Sequence, residues 1–191
     1  MMRSILCGLL LAVSTTAMAD DLNYNFLSLG YERIELDNDF GFDVDGDGWT
    51  VGGSFEVGES WFLFAGYGMG DFDFGIDLDQ WAAGGGYHLP MADNVDFVAT
   101  LSYQRADISA GVLSVDDDGF GASVGLRAMV SERVELNGSV DYVDFGDAGD
   151  DTSLSGSAWL NLTEQFALGL GVSFGDDATA YGLGGRLYFG L

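Results

Sequence analysis

Apolar and polar residues alternate with a period of two along most of the chain. In Val95-Asp-Phe-Val-Ala-Thr-Leu-Ser-Tyr103, residues Val95, Phe97, Ala99, Leu101 and Tyr103 fall on one side, and Asp96, Val98, Thr100 and Ser102 on the other. Phe120, Ala122, Val124, Leu126, Ala128 and Val130 oppose Gly121, Ser123, Gly125 and Arg127 in the same way. Val134 to Tyr142, Leu154 to Leu162 and Phe166 to Phe174 repeat the pattern. Side chains that switch sides at every residue describe a β-strand with two unlike faces. Ten such segments are expected, at 22–35, 48–58, 61–71, 78–88, 95–106, 119–131, 134–145, 152–163, 166–175 and 179–191. Most reach the about 9–11 residues that a tilted strand needs to cross a bilayer. If the hairpin around 72–77 does not form, the count is eight. No segment sustains a helical period.

The connections alternate in character. Gly58-Glu-Ser60, Ser131-Glu-Arg133 and Thr163-Glu-Gln165 are tight links, and Leu89-Pro-Met-Ala-Asp-Asn94 is slightly longer. The links on the other side, 36–47, 72–77, 107–118, 146–151 and 176–178, are rich in Asp and Gly. Short turns at one end and polar loops at the other are the asymmetry of a membrane barrel with periplasmic turns and external loops. An even strand count puts both termini on the periplasmic side.

The first residues explain how such a chain reaches a membrane outside the cytoplasm. Arg3, the apolar run Ile5 to Val13 and Ala17-Met-Ala19 form the positive, apolar and small-residue parts of a secretory signal peptide. We therefore expect a signal peptide at 1–19 and one domain at 20–191. The only cysteine, Cys7, lies in the signal, which excludes a disulfide framework from the domain. The formal charge is −25, with no lysine and 31 acidic residues. A polyanion repels nucleic acid, so no nucleic-acid partner is expected. Acidity alone would fit a disordered chain, but 14% of the residues are Phe, Trp or Tyr. Thirty glycines and one proline again favour strands.

A soluble sandwich buries its apolar stripes, and a membrane barrel turns them outward. Three features favour the membrane: the signal peptide, aromatic residues near strand ends such as Trp49, Trp61, Trp81 and Tyr103, and an amphipathic last segment, Tyr181 to Leu191. These features together resemble the small outer-membrane β-barrel superfamily of OmpA-like and opacity-type porin proteins. Its final strand is an assembly signal, and Gly184, Leu187, Phe189 and Leu191 match it. The family usually ends on Phe or Trp where this chain has Leu191. The stretches Asp77 to Tyr87 and Asn94 to Ala99 resemble a narrower family of small acidic barrels, one of them once proposed to activate a plant immune receptor. The resemblance implies an all-β, transmembrane, antiparallel up-and-down barrel in the outer membrane of a Gram-negative-type envelope. Its partners would be outer-membrane lipid, lipopolysaccharide and the barrel assembly machinery.

Candidate chemistry is sparse. Asp43, Asp45 and Asp47 with Gly48 open like an EF-hand calcium loop, but Ser54 stands where the bidentate Glu belongs. Weak Ca²⁺ binding and a plain solvated acidic loop both remain open, and no other cofactor is expected. Glu32, Glu56, Glu135 and Asp141 share the inward stripe with Arg127 and Arg186. Charges in so narrow an interior are expected to pair and fill it; the alternative is a charge-lined conduit. His88 is the only histidine and no Ser-His-Asp set accompanies it, so no catalytic residue and no enzyme is expected. Two functions follow: a structural or surface-interaction barrel, or a small porin-like channel.

Overall fold

In the computed structural model, residues 16–18, 21–36 and 44–190 are described. Ten strands form one closed antiparallel barrel. They are β1 (Phe26–Leu36), β2 (Val44–Val57), β3 (Trp61–Phe72), β4 (Ile76–Ala92) and β5 (Val95–Ala110), followed by β6 (Leu113–Ser131), β7 (Val134–Asp144), β8 (Asp150–Asn161), β9 (Phe166–Phe174) and β10 (Ala178–Tyr188). Every strand pairs with its chain neighbours, and β10 pairs with β1 to close the ring. The count is ten, and the hairpin around residues 73–75 is real. A short pairing of Thr16–Met18 with Asp21–Asn23 precedes the barrel. Residues 1–15 and 19 of the expected signal peptide lie outside the described residues.

The strands run further at one end than their composition predicts. Asp45 and Asp47 belong to β2 rather than to a loop, opposite Glu35 and Arg33. The stretch 107–118 is almost wholly strand, with Ser109 opposite Ser114 and a turn at residues 111–112. Asp is a poor strand former. Here the ladder of hydrogen bonds and the guanidinium of Arg105 overrule it. We call this the far end; the rim where β1 starts and β10 stops is the near end.

The outward face is apolar. Leu29, Leu63, Leu101, Leu170 and Leu183 are all more than half exposed. Two aromatic levels bound this belt. Trp61 packs on Tyr87 at 4.9 Å near the near end. Tyr31 with Trp49, and Trp81 with Tyr103 and Phe120, form the level towards the far end. That is the layout of a strand wall seated in lipid between interfacial rings.

Inward positions hold glycines opposite large rings. Phe62 lies over Gly86, Phe64 over Gly84, and Trp159 over Gly169, where a Cβ would run into each ring. Small residues on one strand thus make room for the bulky side chains of its neighbour.

Candidate functional site

The lumen is divided by its side chains into three levels. The far end is filled by an apolar cluster built on Ile34, Leu36, Phe72, Leu78, Ile108 and Val143, with Phe145 added from the β7–β8 connection. These are inward positions in the same register as the polar stripe. Only their height distinguishes them, which is why alternation alone did not reveal an apolar cap.

The near end is closed by a polar and aromatic floor. Tyr24, two residues ahead of the first strand, reaches into the barrel and is fully buried. Its hydroxyl donates to Asp96 Oδ2 at 2.7 Å. Its ring stacks on His88 at 4.0 Å and contacts Phe62 at 4.9 Å. Burial pushes the Tyr24 phenol above its usual range, so it stays a hydrogen-bond donor. His88 Nδ1 lies 3.2 Å from Asp96 Oδ2, and Nε2 lies 3.6 Å from Glu56 Oε1. The histidine is therefore a floor residue held between two carboxylates.

Glu135 joins the two halves of this floor. It is fully buried and accepts from Arg127 Nη2 at 3.2 Å. Arg186 Nη1 lies 3.6 Å from its other oxygen. The Arg127 guanidinium also sits 4.7 Å over the Tyr24 ring. The Arg186 guanidinium lies 3.5 Å over Trp159 and 5.1 Å from Phe26. Guanidinium faces stack well on aromatic rings, which lowers the cost of taking two cations out of water. Arg127 Nε further donates to Asn137, Asn137 to Ser157, and Trp159 Nε1 to the same Ser157 oxygen.

The expected inward charge network thus splits. Glu135, Arg127 and Arg186 come together, with Glu56 beside them through His88. Glu32 and Asp141 stand higher. Among the described residues neither is in an ion pair, and Asp141 accepts from Ser139 Oγ at 3.0 Å. Both line a cavity of about 170 Å³ between the two closures. Its β6–β9 wall carries hydroxyls from Ser123, Ser139, Ser155, Ser157 and Ser173. A chamber of this kind suits ordered water. Sequence reasoning placed Tyr24 inside the first expected segment, 22–35, with the inward parity of Phe26, but gave it no role; the strand itself begins only at Phe26.

The calcium-loop residues are not gathered. Asp43 lies outside the described residues. Asp45 is bound by the Arg33 guanidinium on the outer face, and Asp47 lies opposite Asp71. Among the described residues no three acidic, His or Cys side chains gather to hold a metal ion. Arg105 is likewise committed, at 2.6 Å from Asp116, 3.3 Å from Asp118 and 3.5 Å from Asp107. In the assembly strand, Gly184 faces inward opposite Gly30, Leu187 and Phe189 are outward and exposed, and Leu191 lies outside the described residues.

Residues 5–174 match the family model described as outer membrane protein beta-barrel domain. No curated protein matches the sequence. Among solved structures, the translocator domain of autotransporter NalP from Neisseria meningitidis is similar with a TM-score of 0.52 and 12% identity. The match covers 90% of this chain and 91% of that one. Neisserial surface protein A (NspA) matches with a TM-score of 0.46 and 14% identity over 86% of this chain and 96% of that one. Ail, the attachment invasion locus protein of Yersinia pestis, matches at 0.45 and 14% over 86% and 97%. At these identities the likeness concerns the fold alone.

Proposed function

Because the chain belongs to the outer membrane protein beta-barrel domain family, we propose that it serves in the outer membrane as a closed structural and surface-interaction barrel, and not as an open channel. The family places it in the lipid- and lipopolysaccharide-rich outer membrane as a transmembrane barrel. The observation that supports a closed barrel is the filling of the lumen at both ends. The apolar cap around Phe72 and Val143 at the far end and the buried floor around Tyr24 and Glu135 at the near end support this reading. A porin-like channel is the second reading, and the hydroxyl-lined chamber is what favours it. His88 serves packing and charge balance in this reading, so no catalysis is assigned. Planar-bilayer recording distinguishes the two. The purified barrel is expected to stay silent, and sustained conductance steps that shift on Glu56→Gln or Asp141→Asn would establish the channel.

The same reading orients the chain with its near end in the periplasm and its far end outside the cell. It draws on the unequal strand overhang and on the acidic residues gathered at the far end, and it agrees with the resemblance to small acidic barrels. An epitope inserted at the 111–112 turn is expected to be stained on intact cells. One inserted at Ser131-Glu132 should be stained only after the outer membrane is opened. The reverse pattern would invert the orientation.

A further inference from the structure

Two hairpin turns at the far end lie side by side, because Ile76, just after the first, pairs with Ala110, just before the second. In the first, Phe74 has φ 64° and ψ 14°, and Gly75 follows at φ 69°. A bulky residue in the left-handed region is a genuine outlier that strains the backbone. Asn or Gly would hold this turn with less strain. The Phe74 ring does nothing for the fold in return: it is 79% exposed and belongs to neither buried cluster. In the second turn Val112 is fully exposed and Leu113 is 68% exposed. Three large apolar side chains therefore stand at the tips of hairpins, well away from the lipid belt. The eight residue steps from Tyr103 to Gly111 climb about 26 Å along the strand, or roughly 20 Å above the aromatic level for a strand tilted by about 40°.

The surroundings of these tips are predominantly acidic. Asp73, Asp77, Asp116 and Asp118 are exposed around them. The nearby cations are already held by carboxylates, Arg105 by three and Arg33 by Glu35 and Asp45, the last bonded through its backbone N–H to Asp73. Exposed apolar side chains grouped together and rimmed by polar residues mark interaction sites. We propose that the paired turns at 73–75 and 111–112 are a docking surface for a cationic protein segment that carries apolar side chains. The carboxylates would steer such a segment in and fix its register. Phe74, Val112 and Leu113 supply the contacts that distinguish it from a simple polycation. A second copy of this chain brings the same negative charge, and lipid phosphates are repelled for the same reason. The inference rests on the surface-interaction reading and names its partner class.

The test uses the full barrel in lipid nanodiscs, with empty nanodiscs subtracted. The probes are a peptide of alternating arginine and leucine, polylysine of equal charge, and vesicles containing lipopolysaccharide. The Arg-Leu peptide is expected to bind roughly ten-fold more tightly than polylysine, a difference of about 1.4 kcal/mol. Phe74→Asn should weaken that binding about ten-fold while raising the thermal unfolding midpoint, since it relieves the left-handed phenylalanine. Val112→Ser with Leu113→Ser should show the same loss without touching the Phe74 turn. Equal binding of the two peptides, unchanged binding in both variants, or capture of the vesicles alone would overturn the proposal. None of these outcomes bears on conductance, so the closed-barrel reading stands or falls separately.

Discussion

Replacing Glu135 by alanine is expected to destabilise the barrel by about 3–5 kcal/mol, the range for removing one partner of a buried ion pair. The size follows from its position. Glu135 is fully buried and faces both Arg127 and Arg186, which are themselves almost entirely buried. Without it, two almost fully buried guanidiniums repel one another across the floor. The measurement is urea unfolding of the folded protein in lipid vesicles, followed by tryptophan fluorescence, because Trp159 stacks on Arg186 and reports the floor directly. Replacing all three residues together, Glu135→Leu with Arg127→Met and Arg186→Met, should recover most of the loss, since no charge is then left stranded. A loss below about 1 kcal/mol for Glu135→Ala would mean that water reaches the floor and screens it.

Leu170→Arg should cost about 2–4 kcal/mol in the same assay, the range for a cation on the lipid face at mid-depth. Leu170 lies half-way along β9, outward, with Ala158 and Leu183 as its cross-strand neighbours. Leu160→Arg, one residue before the end of β8, should cost only about 0–1 kcal/mol, because an arginine there reaches the interface. Equal costs at the two positions would place the barrel at a different depth, and no cost at either would remove it from the bilayer.

Strand number, the outward stripe and the inward glycines were legible because period-two alternation is a strong local signal. Strand ends were less so. The Asp-rich segments 36–47 and 107–118 read as loops, since Asp resists strands locally. Only pairing across the hairpin, with Arg105 set among Asp107, Asp116 and Asp118, shows why they extend. The lumen was half legible. Parity placed Glu135, Arg127 and Arg186 inside, but it carries no height. It could not tell that Ile34 and Val143 would cap the far end while His88 and Asp96 met at the near end. Tyr24 was out of reach for a related reason: its partner Asp96 lies 72 residues away, and no local pattern encodes such a contact.

Closure of the ring also sets the order of assembly. Nine of the ten interfaces join strands that follow one another along the chain, so each can form by local zipping of a hairpin. The tenth joins β1 to β10, bringing Phe26 against Tyr188 across almost the whole chain. Until that seam meets, both strands are open edges that any other chain can pair with. At its centre Gly30 faces Gly184, where neither residue has a side chain to guide the register. The seam is therefore the last interface to form and the one most exposed to error, and a mismatch there would shift the floor residue Arg186 along with its strand.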